Sequence, residues 1–168
     1  MNGKGTFSNT NALVLNNASS KLLFTNTGTV GSVSTSLASL GVDVDEDSTI
    51  TSLAVGHTTP VSIAAGKTLS GGITVTDGSI KLGETGTLAS TVSMSGGTLD
   101  ADESLTLSGN LTQSGNITID VAENKTLGYS GAAVNLGAKT LIMTSDGNGT
   151  FNNTNALVLN NASSKLLL

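Results

Sequence analysis

The chain has 168 residues, a formal net charge of −5, 11% charged and 2% aromatic residues, and neither Cys nor Trp. This composition rules out disulfides, supplies no basic stripe or aromatic platform for nucleic acid, and leaves no 18-residue apolar run that could span a bilayer as a helix. With 37% hydrophobic residues, mostly Leu, Val, Ile and Ala, the chain still has enough apolar side chains for the core of one domain.

Residues 5–24 read GTFSNTNALVLNNASSKLLF. Short aliphatic runs among Asn, Ser, Thr and Gly are the text of strands and tight turns. No stretch of the chain keeps helical spacing for three turns. Residues Thr25–Ser39 are expected to carry a loop or an extra short strand. Beyond them a regular pattern begins. Thr-aliphatic pairs recur at Thr49-Ile50, Thr68-Leu69, Thr87-Leu88 and Thr106-Leu107, at a step of 19 residues. Three more columns keep that step: Val42, Val61, Ile80, Leu99; Val44, Ile63, Leu82, Ala101; and Ala54, Ile73, Val92, Leu111.

The columns run on with insertions through Ile119 and Leu141 to Leu157, the counterpart of Leu13. Residues 149–168 repeat residues 5–24 at 18 of 20 positions, the exceptions being Ser8/Asn152 and Phe24/Leu168. Near-identity at a distance of 144 residues points to tandem duplication of a block that holds seven shorter periods.

The architecture that follows is all-β: a right-handed parallel β-helix, or β-solenoid, of about seven coils per 144-residue repeat. Residues 1–168 form a single solenoid segment, one repeat with 149–168 opening the next copy of 5–24. Stacked coils place like on like, so Ile50, Leu69, Leu88, Leu107 and Leu127 are expected in one internal ladder. A sandwich of antiparallel strands would also give many short strands, but not four columns in phase. No secretory leader is evident at Met1, as expected of a repeat lying inside a longer array. Natural solenoids end in polar caps, and neither end coil is capped, so neighbouring copies are expected to stack end to end.

Candidate chemistry is sparse. Asp43, Asp45 and Asp47 alternate as carboxylates do in hard-cation loops, and they are the one metal candidate. A calcium loop of the EF-hand kind needs Gly at its sixth position and Glu at its twelfth, which here are Ser48 and Ala54, so the run is read as a solvated turn. His57 has no second His or Cys to share a metal and is read as a turn residue. Asp100, Asp102, Glu103, Asp120 and Glu123 form the other acid-rich region. Nothing fixes two of them at the separation glycoside chemistry needs, so no catalytic residue, no cofactor and no enzyme activity is assigned. Asn-x-Ser/Thr occurs at Asn17, Asn110, Asn116, Asn124, Asn148, Asn152 and Asn161, where Asn suits solenoid turns as well as glycan attachment. The Thr-x-Thr tripeptides Thr49-Ile-Thr51 and Thr74-Val-Thr76 do not recur at one column, so a regular ice-binding array is not formed.

Phrases such as SGGTLD at 95–100, SGNITID at 114–120 and NKTL at 124–127, set in Gly/Asn/Ser/Thr-rich text without Cys, resemble the passenger regions of bacterial autotransporters and filamentous-haemagglutinin-type adhesins. The resemblance implies export to the bacterial cell surface and an extracellular rod, stalk or fibre. The alternative it leaves open is an adhesive module whose outer face binds a surface glycan, a host ligand or ice. The near-exact 144-residue block departs from the family habit of repeating coil by coil.

Overall fold

The computed structural model describes residues 6–17, 20–35 and 41–168. Its strands follow the coils of a solenoid. The first coil carries β1 (Phe7–Asn9), β2 (Leu13–Leu15) and β3 (Lys21–Phe24); the second β4 (Gly28–Thr35) and β5 (Gly41–Val44); the third β6 (Ser48–Val55) and β7 (Thr59–Ile63); the fourth β8 (Thr68–Val75) and β9 (Ser79–Gly83). The fifth carries β10 (Thr87–Leu88), β11 (Thr91–Met94) and β12 (Thr98–Ala101); the sixth β13 (Leu105–Leu107), β14 (Leu111–Gln113) and β15 (Ile117–Val121). The seventh carries β16 (Thr126–Tyr129), β17 (Val134–Asn135) and β18 (Thr140–Ser145), and the eighth β19 (Thr150–Asn153), β20 (Leu157–Val158) and β21 (Lys165–Leu167).

Each coil lays strand on three faces, and every strand pair among the described residues is parallel. The third face is an unbroken eight-stranded sheet, β3-β5-β7-β9-β12-β15-β18-β21. The first and second faces share one sheet where β4, β6 and β8 run through the corner as single eight-residue strands. From Lys21 of β3 to Lys165 of β21 the chain advances 144 residues and seven coils. At a strand spacing of ~4.8 Å the block is roughly 34 Å long. The protein is thus a parallel β-solenoid of about seven turns, and an antiparallel sandwich is excluded.

Alternation decides which side chains enter the core. Leu69, Leu88 and Leu107 are Cα partners in consecutive coils and are buried. Val42 lies on Val61, Val44 on Ile63, Ile80 on Leu99 and Ile119, Leu82 on Ala101, and Ile73 on Val92 and Leu111, as the columns require. Each such aliphatic side chain contributes about 1.5–3 kcal/mol when fully buried.

The register departs from the equal-step columns at several places. Ile50 pairs with Gly71, and Leu69 takes Ser48 as its partner, because the β6/β8 ladder shifts between Ile50 and Leu53. Gly71 allows this shift. Its φ is +115°, and a Cβ there would lie 1.8 Å from the Ile50 carbonyl oxygen. Likewise Val61 pairs with Leu82 and Ile80 with Thr59; Leu107 pairs with Tyr129 and Leu127 with Leu105; Ile119 pairs with Met143 and Leu141 with Ile117. All these slips are by two residues. Because side chains alternate with a period of two, a slip of two leaves the core side in the core. Ser48 and Thr59 turn inward at slipped positions, and their hydroxyls donate to the carbonyls of Glu46 and His57, two residues back.

Two expectations fail in kind, and a third is met in one of its alternatives. Ala54 does not precede Ile73: Leu53 does, while Ala54 pairs with Thr74 and faces outward. Leu13 and Leu157 lie on the second face, against Val33 and Val134, and the residues of that coil on the third face are Leu22 and Leu166. The stretch Thr25–Ser39 carries a strand, one of the two forms expected there, though not a short one. Within it β4 is a full strand of the stack, and residues 36–40 lie outside the described residues.

Candidate functional site

The acidic run joins neighbouring coils. Asp43 accepts a hydrogen bond from Lys21 Nζ at 2.5 Å in the preceding coil. Asp47 Oδ1 accepts the Thr68 amide at 2.9 Å in the following one, and Glu46 pairs with Lys67 at 2.6 Å. Asp45 is exposed. The carboxylates of Asp43 and Asp47 therefore serve partners on opposite sides of their own coil. Among the described residues no three His, Cys, Asp or Glu side chains are grouped as a metal site. His57 is exposed in the turn between β6 and β7.

The second acidic region is a ladder on the outer side of the third face. Pro60, Lys81, Asp100, Asp120 and Thr144 are successive Cα partners. Lys81 Nζ lies 3.4 Å from Asp100 and 3.2 Å from Asp102, and the Thr144 hydroxyl donates to Asp120 at 2.7 Å. Partial burial raises the Asp100 pKa above its ordinary value, and the charge of Asp102 adds to the shift; Lys81 opposes it, and Asp120 adds a smaller rise. The Lys81 pKa is raised too, chiefly by its hydrogen bond to Asp102. Glu103 does not join this group, since it pairs with Lys125 at 2.5 Å one coil on. Glu123 is exposed at the following corner. Asp100 and Asp102 thus face the cation of the preceding coil, while Glu103 and Asp120 face a cation and a hydroxyl of the following one.

Side chains also replace backbone ladder bonds at corners where coils differ in length. Asn110, Asn116 and Asn160 offer Oδ1 to the amides of Ala132, Thr140 and Gly137, each one coil away. Asn124 adopts a φ of +58° in its turn. Asn148, Asn152 and Asn161 are exposed. The axial ion pairs and these amide contacts were not singled out from sequence. Their signal is opposite charge, or Asn, recurring one coil apart, as in Lys21/Asp43, Glu46/Lys67, Lys81/Asp102 and Glu103/Lys125.

The two near-identical coils carry the most distinctive geometry. In the eighth coil, β19 pairs with β16, β20 with β17 and β21 with β18, and Phe151 stacks on Tyr129 with ring centroids 6.2 Å apart. In the first coil, β1 and β2 pair with β4, and β3 with β5, on the opposite side. The same sequence thus meets two different neighbours, one on each of its edges. Where the first coil lacks the neighbour that its counterpart has, Phe7 is 56% exposed and a pocket of about 340 Å³ opens beside Leu13, Leu22, Phe24 and Val30.

A second groove of about 330 Å³ lies on the second face. It is lined by Thr74, Ser93, Thr112, Met94 and Gln113, with the Thr112 hydroxyl 3.1 Å from that of Ser93. Compared with known proteins, the chain matches no family model, no curated protein and no solved structure.

Proposed function

We propose that the chain is a structural repeat of a long secreted bacterial surface protein, acting as an extracellular rod, stalk or fibre. The observation that carries this reading is the two-sided use of one coil. Strands β1, β2 and β3 receive β4 and β5 on one edge, and their counterparts β19, β20 and β21 receive β16, β17 and β18 on the other. A coil that accepts both neighbours lets block follow block with no cap between them, so the stack can grow without limit. Its function is mechanical: parallel ladders along the axis, an aliphatic interior and ion pairs between coils resist bending and extension.

A tandem chain of two, three and four blocks tests the reading by electron microscopy. Each added block should lengthen a thin rod by roughly 34 Å, seven coils at ~4.8 Å. Particles that thicken or become globular as blocks are added would sink it.

The second reading is an adhesive or ligand-binding module for a surface glycan, host ligand or ice. The hydroxyl-lined groove at Thr74, Ser93 and Thr112 favours it. A glycan array probed with the intact chain separates the two: retention that is lost in Ser93→Val supports binding, and silence supports the rod.

A further inference from the structure

We propose that the second face between the sixth and seventh coils is a joint, which opens while the first and third faces hold, so that the stack bends at one defined place. The joint belongs to the single chain; the rod reading adds only that it recurs once in each block. Its origin is a change of coil length. Ser93 and Thr112, on the adjacent strands β11 and β14 of the second face, are 19 residues apart. Gln113 and Leu136, across the next step on that face, are 23 apart. The first and third faces keep their ladders across this step, β13 on β16 and β15 on β18. The second face does not. Among the described residues β14 pairs with β11 and β17 with β20, and no ladder joins β14 to β17.

Side chains span the break. The Leu111 amide donates to the Tyr129 hydroxyl at 3.1 Å, the Ala132 amide to Asn110 Oδ1 at 2.9 Å, and Gln113 Nε2 to the Leu136 carbonyl at 3.3 Å. These bonds stand where β11 and β14 are joined by a backbone ladder. The closed joint also leaves a polar atom unserved: among the described residues, Gln113 Oε1 is a buried acceptor without a hydrogen-bond partner. Such an acceptor destabilises the closed form, and opening returns it to water.

The stability of a stack is a sum of contacts between neighbouring coils, so its weakest contact opens first. The corner between the third and first faces lies opposite the break. There the sixth and seventh coils stay bonded: the Asp146 amide donates to the Val121 carbonyl at 3.2 Å, the Thr126 amide to Ser104 Oγ at 3.0 Å, and Glu103 pairs with Lys125. That corner is the hinge, and bending about it puts the second face on the convex side. Opening uncovers Leu111, Val134 and Leu136, which are buried beneath the break; their apolar surface keeps the closed form dominant.

Hydrogen exchange of the full chain tests this without any substitution. The Leu111 and Ala132 amides should exchange at least about tenfold faster than those of Thr76 and Ser95, which bond to the Val55 and Val75 carbonyls in the intact part of the same face. Amides of the β15/β18 ladder, which join the sixth and seventh coils on the third face, should stay as protected as Thr76 and Ser95. A second readout is chemical, because the chain has no Cys of its own. Val134→Cys, beneath the break, should react with a thiol reagent about tenfold faster than Val75→Cys, which is buried between ladders on both sides. Tyr129→Phe should speed the reaction of Val134→Cys further and leave Val75→Cys unchanged. Equal protection of Leu111, Ala132, Thr76 and Ser95 overturns the joint. Exchange of the β15/β18 amides as fast as that of Leu111 overturns the hinge, since the two coils then part on every face. The rod reading is decided separately by the length of the tandem chains: globular tandem particles sink the rod and leave the joint to these two measurements.

Discussion

The Tyr129 hydroxyl accepts a hydrogen bond from the Leu111 amide at 3.1 Å and donates one to the Ala132 carbonyl at 2.5 Å. This bridge spans the sixth and seventh coils on the second face, where β14 and β17 do not pair. Asn110 and Gln113 flank it, bonding to Ala132 and Leu136. Tyr129→Phe keeps the ring under Phe151 and removes the bridge. The Leu111 amide is then buried without its partner, at a cost of about 1–3 kcal/mol. Urea denaturation of the two proteins measures it; equal stability would mean that the bridge contributes nothing.

The contrast between Leu88 and Ile50 explains how far the columns could be read. Leu69, Leu88 and Leu107 stand at equal steps because their coils are equal in length and pair without interruption. Ile50 occupies the same sequence phase, yet it pairs with Gly71. The periodic text carries the face of each residue, since alternation survives a slip of two, but it does not carry the register. Ala54 shows the other kind of error: a bulge moves it by one position, and one position reverses its face. The ends were legible for a different reason. The 18 identities between 5–24 and 149–168 are independent of register, so the equivalence of the two coils stands whatever their neighbours do. Coil-to-coil contacts by Lys and Asn leave little trace in apolar columns, because these side chains are polar and lie on outward positions or in turns.

Gly71 carries the bulge that sets the β6/β8 register. A side chain there would meet the Ile50 carbonyl oxygen at 1.8 Å and would hold a φ of +115°. Gly71→Ala is expected to destabilise by at least about 1–3 kcal/mol, the usual cost of such backbone strain, with more from the clash. Gly66 is a matched control. Its φ is +71°, but no atom lies within 4 Å of its Cβ position, so Gly66→Ala should cost less. Equal melting temperatures for the two variants would argue against a forced register.

The Lys81 ladder gives a pH dependence with a definite sign. Asp100 has its folded pKa raised above the ordinary 3.8 by burial and by Asp102. A carboxyl with a raised folded pKa stabilises most when it is protonated. Its contribution is present below 3.8 and is lost as pH rises through the raised value. Asp100→Asn should therefore be at least as stable as the parent at neutral pH, with the advantage vanishing in acid. Lys81 keeps Asp102 at 3.2 Å in that variant. Its own raised pKa makes its contribution full below 10.5 and lost as pH rises through the folded value, so Lys81→Met should lower stability at neutral pH and approach the parent in strong alkali. Melting temperature across pH checks both; a neutral-pH loss in Asp100→Asn would reverse the assigned sign.

Leu88 and Leu157 compare the middle of the stack with its end. Leu88 is fully buried, with Leu69 on one side and Leu107 on the other. Leu88→Ala should cost about 2–5 kcal/mol, since coils on both sides hold the cavity open. Leu88→Asp should cost more, because an unpaired charge would sit in the aliphatic interior. Leu157 has Val134 as its Cα partner and is half-buried. Leu157→Ala should fall well below Leu88→Ala, because its removal leaves no enclosed cavity and the last coil frays at low cost. The order of the two ΔΔG values is the discriminating result. If the terminal substitution matched the central one, the eighth coil would be as tightly held as the fifth. If Leu88→Asp unfolded like an exposed-site variant, the interior would not be the dry aliphatic stack on which the rod depends.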